Sequence, residues 1–273
     1  MLVHLKKLAA REVQLLKEPK RLARVAILLL ALAALSMPLL QSGIDHPSSV
    51  EEYARTSVKV LSNKGGGGSG VILKSTPSYS IILTNNHVCE GVVNGGIIER
   101  EGYQYKVSAY KKSKEHDLCE VKVNADLGVN TEVADEAPRQ YSSAIISGHP
   151  ALLPHVLTKG SFSGRMNVNV MVGVRPCSNE EIQKYGFQCL FGMPILVSYD
   201  AQLVSATILP GSSGSAVFND DGEIAGLVFA SNSRELSYAI IVPQEYVQEF
   251  VSSEADKLPW ILPQSPEAQP DAK

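Results

Sequence analysis

The chain is short of charge, short of cysteine and free of any internal repeat. Charged residues make up 19% of its 273 positions and the formal net charge is −3, so no excess of cations marks a dedicated nucleic-acid binder. The 21 glycines and 15 prolines follow no third-position period, and 44% of residues are hydrophobic. That combination excludes a collagen-like chain and a disordered one. The four cysteines include no C-x-x-C pair, which argues against a zinc site; no metal and no cofactor is expected.

What charge there is, is unevenly spread. Residues 1–24 hold seven Lys and Arg against two Glu, a balance of +5, which leaves −8 for the other 249 residues. Val25 to Leu40 then runs for sixteen residues with no charge and no polar group but Ser36. This length lies between the core of a signal peptide and the roughly 18 apolar residues of a spanning helix. The long basic lead favours an uncleaved signal anchor over a cleaved signal, since the small-residue pattern Ala31-Leu32-Ala33 falls in mid-run. A buried core helix fits poorly beside seven cations. Cations before the segment keep the amino terminus cytoplasmic and send the chain beyond residue 41 out, to the periplasmic or extracellular side. Residues 1–20 also approximate an amphipathic stripe, which reads either as adhesion to anionic lipid or as a plain cytoplasmic stub.

Beyond the run, Gln41 to about Val60 reads as a polar tether, and four glycines come after it at Gly65–Gly68. Short segments rich in Val, Ile and Leu then alternate with turn residues: 70–74, 80–84, 105–110, 118–123, 143–147, 167–174, 194–198, 203–208, 216–219, 223–230 and 237–242. Many short strands with Gly and Pro punctuation predict an all-β sandwich or pair of barrels. Only 244–252 has helical spacing, and 253–273, with four prolines, reads as an extended tail. The expected organisation is a basic segment 1–24, an anchor 25–40, a tether and domain start 41–65, a main domain 66–252 and a tail 253–273.

Three segments carry chemistry. Ser80–Gly91 is an apolar strand that breaks at Thr84-Asn85-Asn86 and presents His87. Alone, such a histidine is an ordinary loop residue. Asp117 opens a strand whose alternate positions are Cys119, Val121 and Val123. An acid on a valine face is buried and requires a partner. Pro210–Phe218 is a Gly-Ser turn feeding an apolar strand, and alone it too is an ordinary loop. Together they hold a nucleophile, an imidazole that can take its proton and a carboxylate that can orient the imidazole. Ser213 is the serine of the turn in a G-x-S-G arrangement; Ser212 and Ser215 are its rivals.

These segments resemble the trypsin-like serine peptidases, and more closely the HtrA/Deg branch: GSGVIL from Gly68, ILTNNHV from Ile82, DL at Asp117, PGSSGS from Pro210, GEIAGLVFA from Gly222 and SYAIIVP from Ser237, with SGHPALLPHVLTKGSFSGR from Ser147 between. The likeness covers about residues 66–250. It implies an all-β fold of two packed six-stranded barrels of chymotrypsin type with a short C-terminal helix, here preceded by a transmembrane helix. It also implies a cleft between the barrels with His87, Asp117 and Ser213 as catalytic triad, in the chymotrypsin order, and the amides of Gly211 and Ser213 as oxyanion hole.

Some features depart from the pattern. Ser212 replaces the aspartate that digestive trypsins pair with a newly cleaved terminus, and the asparagine of the HtrA branch, so activation by such a cleavage is not expected. The PDZ domain usual in that branch is not found after the last helix, which leaves control by carboxy-terminal peptide capture unsupported. The position resembling the floor of the specificity pocket is Thr207, with Val228, Phe229 and Ala230 resembling its wall. Without a carboxylate there, a buried Lys or Arg would be unpaired, and aliphatic residues are preferred.

An even cysteine count in an exported chain is compatible with two disulfides. Cys177 and Cys189 flank what looks like an inserted surface loop, which their pairing would staple. Cys89 and Cys119 lie two residues after His87 and Asp117, which the family fold brings together; a second bridge and two free thiols both stay open. His116 should face away from Asp117 and be exposed, and His149 and His155 read as structural. The function expected is a membrane-anchored serine endopeptidase acting on exposed or unfolded protein segments. The alternatives are an inactive protease-like binding domain and a dedicated processing enzyme of the viral type. Its partners would be protein or peptide substrates and the membrane, with no nucleic acid. Trimers occur in the HtrA branch, but no residue here establishes an oligomer.

Overall fold

The computed structural model describes residues 47–93, 95–231, 237–252 and 258–264. The basic segment and apolar run expected to form the stub and anchor lie outside the described residues. Among the described residues no helix is long and apolar enough to cross a membrane.

Two closed six-strand antiparallel barrels make up the domain. The first is built from β1 (Ser57–Leu61), β2 (Gly67–Ser75), β3 (Ser80–Thr84), β4 (Ile97–Arg100), β5 (Tyr103–Lys112) and β6 (Cys119–Val123) in the order β1-β2-β3-β6-β5-β4. The second comprises β7 (Ser143–Gly148), β8 (Val156–Arg175), β9 (Met193–Val204), β10 (Ala216–Phe218), β11 (Ile224–Ser231) and β12 (Ala239–Pro243), ordered β10-β11-β12-β9-β8-β7. Alternation sends Val58, Val60, Ile72, Ile82, Ile98 and Val121 into the first barrel, and Ala144, Ile146, Phe162, Val217, Val228 and Ile241 into the second. A third core of Tyr53, Leu83, Leu118, Phe218, Leu227, Val247 and Phe250 includes residues of both barrels and of the C-terminal helix Gln244–Ser252. That shared core fixes one barrel against the other.

Several elements differ from the sequence expectation. β1 lies in the stretch read as tether, and β4 falls among residues given no strand. The segment at 194–198 and the start of the one at 203–208 are one strand, β9, because cross-strand pairing with β8 carries it through the polar Asp200-Ala201-Gln202, while 205–208 lie outside any strand. Residues 244–252 are not the only helix. A helix also spans Val50–Thr56, another Asn86–Cys89 and another Asn179–Tyr185. The first and last of these start with capping boxes, Ser49 with Glu52 and Ser178 with Glu181. Of the stretch read as an extended tail, 253–273, only residues 258–264 are described, and these dock on the first barrel: Ile261 exchanges both backbone hydrogen bonds with Tyr110, and Trp260 covers the ammonium of Lys111 at 4.7 Å.

β8 and β9 run on beyond the barrel as a two-stranded ribbon, paired from Phe162–Val204 out to Arg175–Met193. A disulfide between Cys177 and Cys189 closes its end, as the sequence suggested. Met171, Val174, Phe187, Phe191 and Leu196 stand exposed there.

Candidate active site

The register of the first barrel decides the meeting of His87 and Asp117. Thr84 at the end of β3 pairs with Cys119 at the start of β6. The residues just past β3 and just before β6 therefore share one end of the barrel. Past Thr84 the chain turns into the short helix Asn86–Cys89, whose start is held by Asn85 Nδ2, donating to the Asp117 carbonyl at 2.9 Å, and Asn86 Nδ2, donating to the Ser113 carbonyl at 3.3 Å. Asp117 Oδ2 lies 2.7 Å from His87 Nδ1, and its Oδ1 accepts the His87 main-chain N–H at 3.0 Å. The carboxylate side chain is 12% exposed and the imidazole 47%. The acid on the valine face thus has the partner that its burial demands, and Nδ1–H is held on the carboxylate side, leaving Nε2 as acceptor. Cys89 and Cys119, both fully buried, form a disulfide directly behind the pair.

Ser213 lies on a turn of the second barrel that meets the first. Its carbonyl accepts the Ser69 N–H at 2.7 Å. Gly68 separates it from the helix bearing His87: a Cβ there would lie 2.7 Å from the Ser213 oxygen and 2.8 Å from Val88 Cγ2. Gly214, at φ +85°, packs so tightly that a Cβ would come within 2.0 Å of the Ser69 oxygen, so only glycine fits after the serine. Among the described residues, the amides of Gly211 and Ser213 donate no hydrogen bond, and neither does the Ser213 hydroxyl. Backbone N–H groups left unfilled in this way are available to an oxygen that gains negative charge; among the described residues, no hydrogen bond joins Ser213 to His87.

Ser212 and Ser215 are no rivals to it, being 4% and 1% exposed. A second serine–histidine contact, Ser147 Oγ to His155 Nε2 at 2.8 Å, is also sealed. Ser147 is 1% exposed and gives its proton to the Tyr53 carbonyl at 3.0 Å. The oxygen then accepts from His155, which is the Nε2–H tautomer and cannot act as base toward it. Burial, with His149 beside it, pushes His155 down to about 4. These two histidines are structural, as expected. His116 is not exposed as expected; it is half-buried and stacks on Tyr246 with ring centroids 4.0 Å apart.

The four residues expected to form a specificity pocket lie in different surroundings. Thr207 lines a cavity of about 240 Å³ with Ile146, Val156, Ile208 and Leu209. Successive residues of β11 point to opposite faces, so Val228 enters the second barrel's interior and Phe229 the core shared by both barrels, with Ala230 packed at that core's edge. Sequence reasoning also passed over Asn85, Asn86 and Ser69. For the asparagines, the polar break in an apolar strand was the available signal.

Two antiparallel six-strand barrels with these segments at their junction define a chymotrypsin-like domain. Residues 68–227 match the family model of the trypsin-like peptidase domain, and the chain belongs to that family. It is similar to a protein named serine protease HtrA-like of Staphylococcus aureus (strain bovine RF122 / ET3-1), 27% identical over 197 residues, which are 67% of this chain and 23% of that one. It is also similar to the serine protease Do-like HtrA of Lactococcus lactis subsp. cremoris (strain MG1363), 27% identical across 59% of this chain and 36% of the relative. The chain thus spans about a quarter to a third of the curated relatives it matches. The fold is shared with the active form of the Rv3671c protease of M. tuberculosis, at a TM-score of 0.58 and 16% identity over 76% of this chain and 83% of that one. It is shared as well with the HtrA-type protease AlgW, solved with a decapeptide, at a TM-score of 0.52 and 18% identity over 72% and 63%.

Proposed function

We propose that the protein is a serine endopeptidase in which Ser213 is the nucleophile, His87 the general base and Asp117 its orienting carboxylate. The observation that carries this reading is the double hold of Asp117 on His87, which leaves the imidazole's Nε2 as the free acceptor. The Ser213 oxygen attacks the scissile carbonyl carbon while Nε2 takes the hydroxyl proton, and the carbonyl oxygen becomes an oxyanion against the amides of Gly211 and Ser213. The tetrahedral centre collapses, the C–N bond breaks and His87 returns the proton to the leaving amine. Water, deprotonated by His87, then hydrolyses the acyl-enzyme and regenerates Ser213.

The substrates are exposed or unfolded protein segments, cut after aliphatic residues. In support, no carboxylate is among the described residues that line the cavity at Thr207. The basic lead and the run Val25–Leu40 support attachment to a membrane with the catalytic domain on the exported side. Fluorophosphonate labelling of the wild type, lost in Ser213→Ala, tests the nucleophile; labelling that persists in the variant overturns it. A peptide library cut mainly after Lys or Arg would overturn the aliphatic preference. Extraction of the full chain from membranes by alkaline carbonate would overturn the anchor.

A further inference from the structure

Four consecutive carbonyls in the nucleophile turn are each held by one donor. The Pro210 oxygen accepts the Ala151 N–H at 2.6 Å, the Ser212 oxygen the Ser215 N–H at 2.9 Å and the Ser213 oxygen the Ser69 N–H at 2.7 Å. The Gly211 oxygen accepts from the Ser69 hydroxyl at 2.9 Å. No peptide bond here is cis. In a planar trans unit the C=O and N–H point in opposite directions, so pinning the oxygens of Pro210 and Ser212 aims the amides of Gly211 and Ser213 the other way. The Gly211 carbonyl lies between these two units. Gly211 itself is at φ +90°, where a residue without a Cβ turns readily. Its oxygen is therefore the point at which the turn would give.

Ser69 is the only side chain among these four donors, and it reaches across from the first barrel. It is fully buried on β2. Besides donating to Gly211, its hydroxyl accepts the His149 N–H at 2.9 Å. Its carbonyl accepts the Thr84 hydroxyl at 2.7 Å, which ties the same residue to the end of the strand that leads to His87. His149 begins the turn that supplies the Ala151 donor. In that turn Ala151 and Leu152 both hold positive φ, at 52° and 56°, a conformation that costs on the order of 1 kcal/mol for such residues. One hydroxyl thus fastens both the Gly211 carbonyl and the strained turn that orients the Pro210–Gly211 peptide.

We infer that Ser69 is the positioning residue of the oxyanion hole, setting the Gly211 amide through its hydroxyl. The inference rests on the peptidase reading above. It is tested in the full chain with Ser69→Ala and Ser69→Thr, the second of which keeps the hydroxyl. For Ser69→Ala, kcat falls about 10- to 100-fold while KM stays within about twofold, because the lost contact acts only in the transition state. The affinity of a peptide boronate, whose tetrahedral centre carries an oxyanion, falls by the same factor as kcat, and that of the product peptide is unchanged. Ser69→Thr recovers at least half the wild-type rate. Wild-type kinetics in Ser69→Ala, an equal loss in Ser69→Thr, or equal losses of boronate and product affinity would each overturn the assignment. So would failure of both variants to fold, which makes the residue structural. If the wild type itself fails to label with a fluorophosphonate, the peptidase reading falls first; if it labels and Ser69→Ala is unimpaired, only the role of Ser69 falls.

Discussion

Asp117 grips His87 at two points, its Oδ2 on the ring Nδ1 at 2.7 Å and its Oδ1 on the main-chain N–H at 3.0 Å. A carboxylate that binds both ring and backbone sets the tautomer, the ring plane and the position of the helix start at once. Asp117→Asn keeps the shape but replaces one acceptor oxygen with an NH₂ donor. Where that group meets Nδ1, the imidazole is driven to the opposite tautomer, with its proton on Nε2, so it can no longer act as a base there. The expected loss in kcat is on the order of 10³ to 10⁴. Steady-state kinetics on a peptide substrate check this, with the melting midpoint close to wild type.

The Cys89–Cys119 disulfide joins the elements that carry the two residues, 30 positions apart in sequence. By chain entropy such a loop stabilises the fold by about 3 to 4 kcal/mol. The double variant Cys89→Ala/Cys119→Ala is expected to unfold at correspondingly lower denaturant, and to lose kcat as His87 and Asp117 loosen. Cys177→Ala/Cys189→Ala, at the far end of the ribbon, should leave kcat unchanged while making the ribbon tip sensitive to proteolysis. Denaturant titration and limited digestion distinguish the two bridges.

The two halves of the site differ in how legible they were. His87 and Asp117 could be read because each breaks a local pattern: an apolar strand that ends in polar residues, and an acid in a row of valines. Their disulfide could not be decided, because it depends on the pairing of Thr84 with Cys119, a register between strands far apart in sequence. The helices at Val50–Thr56 and Asn179–Tyr185 were legible in principle through their S-x-x-E starts. Strand spacing alone was the weaker guide there. β9 was divided in two because its polar middle breaks the local hydrophobic pattern, whereas its pairing with β8 is what holds it extended. Ser69 illustrates the limit most clearly. Its contact with Gly211 spans 142 residues, and nothing local distinguishes it from any other buried serine on a strand.

Stability should decline between about pH 6.5 and pH 4. His155, pushed down to about 4 by burial with His149 beside it, is neutral in the folded protein where the unfolded chain already binds a proton. His149 is pushed down as well, first by burial, while the Leu153 carbonyl opposes the shift. A depressed histidine leaves the fold's stability intact above its unfolded value of about 6.5 and lowers it as pH falls toward the folded one. His155 is partly open to solvent, so the screened cost is about 1 to 2 kcal/mol, equivalent to roughly 3 to 6 degrees in melting midpoint. The fall in midpoint from pH 7 to pH 4.5 should shrink in His155→Gln. An equal fall in the variant would show that other groups cause it.

Lys111 and Glu120 make a 2.7 Å ion pair with side chains only 4% and 5% exposed. Trp260, from the segment that docks by Ile261, lies over Lys111 and, at 5.9 Å, over Lys122. Two charges so deep are costly to bury, and their mutual attraction offsets that cost only while both are present. Glu120→Ala alone should therefore destabilise by about 3 to 5 kcal/mol, because it removes the carboxylate that faces the buried ammonium. Replacing both partners, as Lys111→Met with Glu120→Leu, should come close to neutral, since an apolar pair of similar volume has no desolvation cost to recover. Trp260→Ala opens the site and should make stability more dependent on salt, because water and ions then screen the pair. Denaturant midpoints of the three variants at low and high salt give the answer. If Glu120→Ala were as stable as the double replacement, the pair would contribute no more than an exposed one.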